Sequence, residues 1–267
     1  MIAKEYGAWS MLLMAFVLGP GVAAHFNVET GLFLGVAVAL FLARYPLSLL
    51  LKRGGRGPDR GRLLRWTGIY SSGAILLLLP LLFRYRLWGL IPLGAAYGVS
   101  LMVYLYMISR KQERTIWGEL WAVAGLSLAA PGAYYAATGL WGKTALLLWL
   151  FSLLYSGASV FYVPMKFRHR TLATPGREQK WSFPKGWRLG RRSLLYLGII
   201  LLTVGLLALG GQVPSLAPLA FLPLAVKTVS AVFWVRPASI RRIGFTEVAH
   251  VALFALLLIG AYRFPLG

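Results

Sequence analysis

The chain has 267 residues, 58% of them hydrophobic and only 13% charged, with a net charge of +21. Soluble domains are about 45–50% apolar and about 25% charged, so this composition excludes a soluble enzyme, a secreted disulfide scaffold and a disordered chain. It describes an all-α, polytopic membrane protein, in which excess Lys and Arg report topology rather than nucleic-acid binding.

A membrane span needs about 20 mostly apolar residues, and nine stretches meet or approach that length. The first, 7–24, follows Lys4, and Val22-Ala23-Ala24 within it resembles a signal cleavage site. Glu5 spoils the basic region such a signal needs, so it reads as a retained helix. The second, 31–51, leads into a basic, glycine-rich loop over 52–65. Spans three to six follow at 66–83, 87–109, 118–137 and 140–164. A second long basic loop covers 165–192, and spans seven to nine lie at 193–210, 213–235 and 243–262. The whole chain, 1–267, reads as a single membrane domain. Spans one and five both open with a Glu and a Trp, Glu5 with Trp9 and Glu119 with Trp121. Tyr45-Pro46 and Tyr162-Val163-Pro164 both precede a long basic loop. This echo describes two four-helix units plus one helix, as a parallel repeat.

Orientation follows from the basic residues. Of the 28 Lys and Arg, 22 fall on the face that carries Lys4, the two long loops and the connections after spans four and eight. Arg84, Arg86, Lys143 and Arg263 fall on the other face. The N-terminus and the long loops are therefore expected in the cytoplasm, and the C-terminus outside. Trp66, Trp88, Trp117, Trp141 and Trp234 fall near span ends, where indole rings anchor to the interface.

The two remaining bases, Arg44 and Lys227, lie inside spans. At 1.5 Å per residue they sit about 12 Å and about 13 Å from Lys52 and Arg236. Each either snorkels to the headgroups or faces a polar, cytoplasm-facing cavity. Three carboxylates, Glu5, Glu119 and Glu247, occupy helix starts on the same side. They either complement the helix dipole or pair with those bases in a buried network. At the exit of span six, Tyr155, Ser159, Tyr162 and Lys166 share one helical face, and Arg168 follows. Hydroxyls leading to a cation suit a phosphate-bearing or other anionic ligand; small-residue helix packing and contact with anionic lipid account for the same pattern.

Other chemistries fall away. The chain has no cysteine, so it has no disulfide, thiolate metal site or catalytic thiol. His25, His169 and His250 offer no paired haem ligands, and no spacing matches a zinc site. The glycine-rich stretch 53–61 lacks the Gly-Lys-Ser/Thr ending of a phosphate-binding loop. No metal, cofactor or nucleic acid is expected.

The opening Ala3-Lys4-Glu5-Tyr6-Gly7-Ala8-Trp9-Ser10-Met11-Leu12 resembles the start of the YwiC-like family of bacterial membrane proteins, with Tyr6 where the family usually has His and Ala3 where it has Pro. Leu42-Ala43-Arg44-Tyr45-Pro46-Leu47, Glu119-Leu120, Leu126 to Pro131, Ser159 to Val163 and Ile243 to Glu247 extend the likeness. It implies a protein of the bacterial cytoplasmic membrane and supplies no catalytic residue. Nine spans with long loops after the second and sixth are also similar in topology to UbiA-type prenyltransferases. Those enzymes hold magnesium and a prenyl diphosphate on Asp-rich loops, whereas the sole Asp here is Asp59, and Arg44 and Arg168 stand where acids would be needed. A magnesium-dependent transferase is therefore not expected.

The first expectation is a basic, cytoplasm-facing cavity that binds an anionic lipid or prenyl-phosphate-like ligand without metal. Its candidate residues are Lys4, Glu5, Arg44, Glu119, Ser159, Tyr162, Lys166, Arg168, Lys227 and Glu247. The alternatives are a small-anion transporter or channel, and an accessory subunit of a larger membrane complex with no site of its own. The bilayer and its anionic phospholipids are partners in every case. The sequence leaves catalysis open.

Overall fold

The computed structural model describes residues 6–52, 59–172, 179–235 and 240–264. Among these the chain is almost entirely helical. In order come α1 (Tyr6–Ala23), α2 (Val28–Lys52), α3 (Arg60–Phe83), α4 (Leu90–Ser109), α5 (Ile116–Ser127), α6 (Ala129–Thr138), α7 (Lys143–Leu172), α8 (Phe183–Leu209), α9 (Leu222–Phe233) and α10 (Ile240–Arg263). Six of the described helices are long and apolar enough to cross a bilayer, and α1 is a shorter apolar helix. Leu76, Met102, Leu146, Leu202 and Leu256 each expose more than half of their surface. Side chains so apolar and so exposed face lipid, because exposed apolar patches of that extent are rare in water.

The helices map onto the nine apolar stretches, with three departures. Span five is two helices. Pro131 has no N–H to give the Ser127 carbonyl, and the ladder breaks between α5 and α6 at Leu128. Span eight begins as a 3-10 turn, Ala217–Phe221, and becomes α-helical at Leu222. Pro218 and Pro223 open these two segments, where a missing N–H costs least. The third departure concerns the long loops. Helix α2 runs through Pro46 to Lys52, α3 begins at Arg60, α7 runs through Pro164 to Leu172 and α8 begins at Phe183. Hydropathy marks where apolar surface ends, while the helical ladder continues wherever Lys and Arg are good helix formers.

Two compact units divide the chain, Met1–Leu153 and Leu154–Gly267. The division falls inside α7, whereas the sequence echo groups spans one to four and five to eight. In the first unit α1 lies against α6 with no room for a side chain at Gly19. A Cβ there would meet the backbone N of Tyr134 and lie 2.6 Å from the Ala133 carbonyl carbon and Cβ. Phe16, Phe33, Val36, Leu81, Leu90, Ala133 and Tyr135 form its core. Tyr135 also stacks on Trp141 at 5.0 Å and accepts the Gly89 N–H at 3.1 Å, tying two short connections together.

In the second unit Gly186 and Gly190 of α8 sit against Phe233 and Val232 of α9. Tyr162, Met165, Ala231 and Val232 form one core cluster. Tyr155, Phe221 and Phe254 form an aromatic group, with Tyr155 stacked 4.0 Å from Phe254. A two-residue antiparallel ladder pairs Gln179 with Val235 and Lys180 with Trp234. The Trp181 N–H extends it by donating to the Phe233 carbonyl at 2.9 Å.

Candidate functional site

The residues that the sequence marks as chemically informative fall into both units, with Arg44 in the first and Lys227 in the second. Arg44 of α2 belongs to the first. Its guanidinium lies 4.3 Å from the centre of the Tyr104 ring, and Nη2 donates to the Tyr104 hydroxyl at 3.2 Å. A cation on an aromatic face gains about 0.5–2 kcal/mol depending on its burial, and Arg44 is half-buried. One α4 turn earlier, Ser100 joins the group; one further, the Tyr97 hydroxyl donates to the Leu40 carbonyl at 3.3 Å. Arg44, Tyr97, Ser100, Tyr104, Ala122 and Gly125 border a small pocket of about 20 Å³. That is room for roughly one water.

This pocket adjoins a larger apolar cavity of about 90 Å³, and Tyr97, Gly125 and Leu126 line both. Along α2 the cavity extends from Phe33 to Phe41, ending where Arg44 begins. On α4 it takes Leu93, Gly94 and Tyr97, and on α5 and α6 it runs from Gly125 to Ala129. All three strips progress the same way: polar toward the Lys52 end of α2, apolar away from it. Gly125 stands at the junction, where a Cβ would lie 2.6 Å from the Ser100 hydroxyl.

Lys227 of α9 belongs to the second unit. Its Nζ donates to Glu247 Oε2 of α10 at 2.8 Å, and the two side chains are 9% and 22% exposed. The same ammonium lies 4.5 Å from the centre of the buried Tyr162 ring, and Lys166 Nζ lies 5.8 Å from that ring. Two turns along α7, Tyr155 is buried and its hydroxyl has no hydrogen-bond partner among the described residues. The structure therefore brings together Tyr162, Lys166, Lys227 and Glu247. Ser159 shares the α7 face, but its hydroxyl donates to the Ser156 carbonyl at 2.7 Å. Arg168 is exposed near the end of α7.

Glu119 is half-buried in the first turn of α5, which Thr115 caps by accepting the Gly118 N–H at 3.2 Å. An acid at that position complements the helix dipole. Lys4 and Glu5 lie outside the described residues.

Besides Ser100, three polar side chains near the candidate residues are not marked by the sequence. Tyr97 and Tyr104 are i and i+7 on α4, and that spacing on an apolar helix was the available signal. The third is Glu113, in the connection between α4 and α5, which pairs with Lys52 at 3.2 Å. Its own backbone N–H hydrogen bond holds its carboxyl below the usual range; desolvation opposes this, and Lys52 and Arg114 reinforce it.

Stacked cations, a buried ion pair and lipid-facing helices define a multi-pass helical membrane protein. The sequence model of the YwiC-like protein family matches residues 2–134. A Bacillus subtilis (strain 168) protein described as "Uncharacterized protein YwiC" is 27% identical over 257 residues, which is 95% of each chain. An uncharacterised protein of Haemophilus influenzae (strain ATCC 51907 / DSM 11121 / KW20 / Rd) is 26% identical over 270 residues, 98% of each chain. The chain belongs to the YwiC-like family. No solved structure matches it, and the similarity to UbiA-type enzymes gains no support from these comparisons.

Proposed function

We propose that this protein resides in the bacterial cytoplasmic membrane, N-terminus inside and C-terminus outside, and that its first unit binds an anionic, lipid-like amphiphile with the headgroup at Arg44. One observation carries the reading: a permanently charged guanidinium borders a pocket that continues into an apolar cavity. The direction also fits. If the Lys52 end faces the cytoplasm, the polar part lies toward the interface and the apolar part toward the bilayer centre, as an amphiphile's own ends do.

The chemistry suits phosphate. Arg pairs with phosphate through parallel N–H bonds, and the Ser100 and Tyr104 hydroxyls add donors. Magnesium needs hard oxygen ligands such as carboxylates, and the described residues that line the pocket include none. The ligand is therefore held by side-chain cations directly. The apolar cavity, about 90 Å³, is smaller than the about 150 Å³ that admits benzene. It takes the part of a tail next to the headgroup, and the remainder lies along lipid.

The test is thermal stabilisation of purified protein by farnesyl phosphate, with EDTA or with Mg²⁺, and with farnesol as the uncharged control. Farnesyl phosphate should stabilise equally in both conditions and farnesol should not. Arg44→Ala should abolish the effect and Arg44→Lys should retain part of it, since Lys keeps the charge and loses the fork. Stabilisation that appears only with Mg²⁺ would restore a metal-dependent transferase and overturn this reading.

A further inference from the structure

We propose that Lys227 is a binding site for a small, strongly acidic anionic group, for which Glu247 is an internal competitor, so that binding takes up one proton. The site is in the second unit and does not rest on the Arg44 reading.

The argument starts from the cost of the pair. Placing a charged side chain within a span is costly. A Leu or Met at 227 and at 247 would serve packing alone, and replacing buried ion pairs by apolar residues is often neutral or stabilising. Packing therefore does not account for two facing charges on α9 and α10. A function that uses the charge does.

The geometry then says which function. The Lys227 ammonium is enclosed: the Tyr162 ring covers one side at 4.5 Å, and Glu247 Oε2 occupies another at 2.8 Å. Lys166 brings a second ammonium to the same ring. An aromatic face stabilises a cation but cannot neutralise it, so the carboxylate position is where an incoming anion gains most. While Glu247 is ionised it fills that position and repels the newcomer. Once protonated it no longer neutralises Lys227, and an uncompensated buried ammonium is unfavourable. A fully ionised anion then replaces the lost charge. Proton uptake at Glu247 and anion binding at Lys227 are thus coupled, with one proton per anion.

Other groups around the pair do not substitute for it. Helix α7 presents Tyr155, Tyr162 and Lys166; α9 presents Lys227. On α10 itself His250 Nδ1 lies 2.6 Å from the Thr246 carbonyl. From α8 comes Tyr196, stacked on Phe161 at 4.7 Å. Among these described groups Glu247 is the carboxylate in contact with Lys227.

The probe is sulfate, whose charge is constant between pH 5 and 8. Its binding is measured by calorimetry on the full chain in phosphatidylcholine nanodiscs. The dissociation constant should rise with pH by up to tenfold per unit, the limit for one linked proton. Glu247→Gln should bind sulfate tightly and without pH dependence. Lys227→Met leaves Glu247 unpaired and threatens folding, so the decisive variant is Lys227→Met with Glu247→Leu, which removes both charges. It should fold, as judged by an unchanged thermal transition, and should not bind.

A second arm dopes the discs with phosphatidylglycerol, whose phosphate also keeps its charge over this range. Stabilisation confined to those discs, stronger at low pH and lost in the double variant, supports the site and identifies the anion as a lipid headgroup. Binding that is independent of pH in the parent chain, binding that survives in the double variant, or no effect in either arm overturns the proposal.

Discussion

Gly19→Ala isolates the contact between α1 and α6. The added methyl would lie 2.6 Å from both the carbonyl carbon and the Cβ of Ala133, against the backbone rather than against a movable side-chain tip. Ordinary contact begins near 3.4 Å, so the helices must part by about 1 Å at this crossing. Gaps of 0.5–1 Å already forfeit roughly a quarter to a half of each dispersion contact, and Ala15, Leu18 and Ala133 beside it are fully buried. Overpacking of this kind costs about 1–3 kcal/mol, which lowers the melting temperature by roughly 2–12 °C for a chain of this size. The control is Gly68→Ala in α3, where a Cβ meets nothing within 4 Å. There the better helix propensity of Ala acts alone, stabilising by up to about 1 kcal/mol. Thermal unfolding of both variants in the same detergent gives the comparison. Equal or higher stability in Gly19→Ala than in Gly68→Ala would refute the close approach of α1 and α6.

Two further outcomes test other parts of the chain. Glu113→Gln removes the carboxylate that pairs with Lys52. Because the folded-state pKa is lowered, its stabilisation is present above the ordinary value of 4.5 and is lost as pH falls through the lower folded value. For an exposed pair the loss is about 1 kcal/mol or less, so denaturant curves of parent and variant should differ slightly at neutral pH and converge at acidic pH. For topology, the absence of native cysteine makes Arg60→Cys and Arg86→Cys clean reporters. A membrane-impermeant thiol reagent added to intact cells should label position 86 and spare position 60; the reverse pattern inverts the orientation.

Much of the fold was legible because apolar length is a direct consequence of the bilayer. The breaks were not. Pro131 permits either a kinked helix or two helices, and only packing around Leu128 decides. Residues 165–192 read as a solvated loop, because Lys and Arg dominate their hydropathy. In the structure Trp181 is 4% exposed, and Lys185 Nζ lies 4.5 Å from its ring. A basic segment conceals such an anchor, since long cationic side chains cover apolar groups with their stems. For the site, the cost of charge within a span singled out Arg44 and Lys227 from one sequence. Their partners were harder. Depth placed several carboxylates within plausible range of Lys227, and only the packing of α9 with α10 selects Glu247. Tyr104 is not marked as the support of Arg44 because tyrosine is grouped with the hydrophobic residues, although its hydroxyl and ring face both act here as polar groups.

The two intramembrane cations are stabilised by different means, and the difference has chemical consequences. Arg44 faces the Tyr104 ring and hydroxyl. Guanidinium does not release its proton in proteins. The guanidinium itself therefore stays charged at every working pH, and a phosphate bound as proposed would keep that partner. Lys227 faces a carboxylate, which can be neutralised by one proton. In the mechanism proposed above, its pull on an anion is set by pH as well as by geometry. A fixed cation beside an apolar cavity suits continuous occupancy by a lipid-like molecule. A cation whose counter-ion can be switched off suits an anion that must be taken up and released. A pH series with one fully ionised probe therefore tests the proposed second-unit site: binding that depends on Lys227 should fall as pH rises.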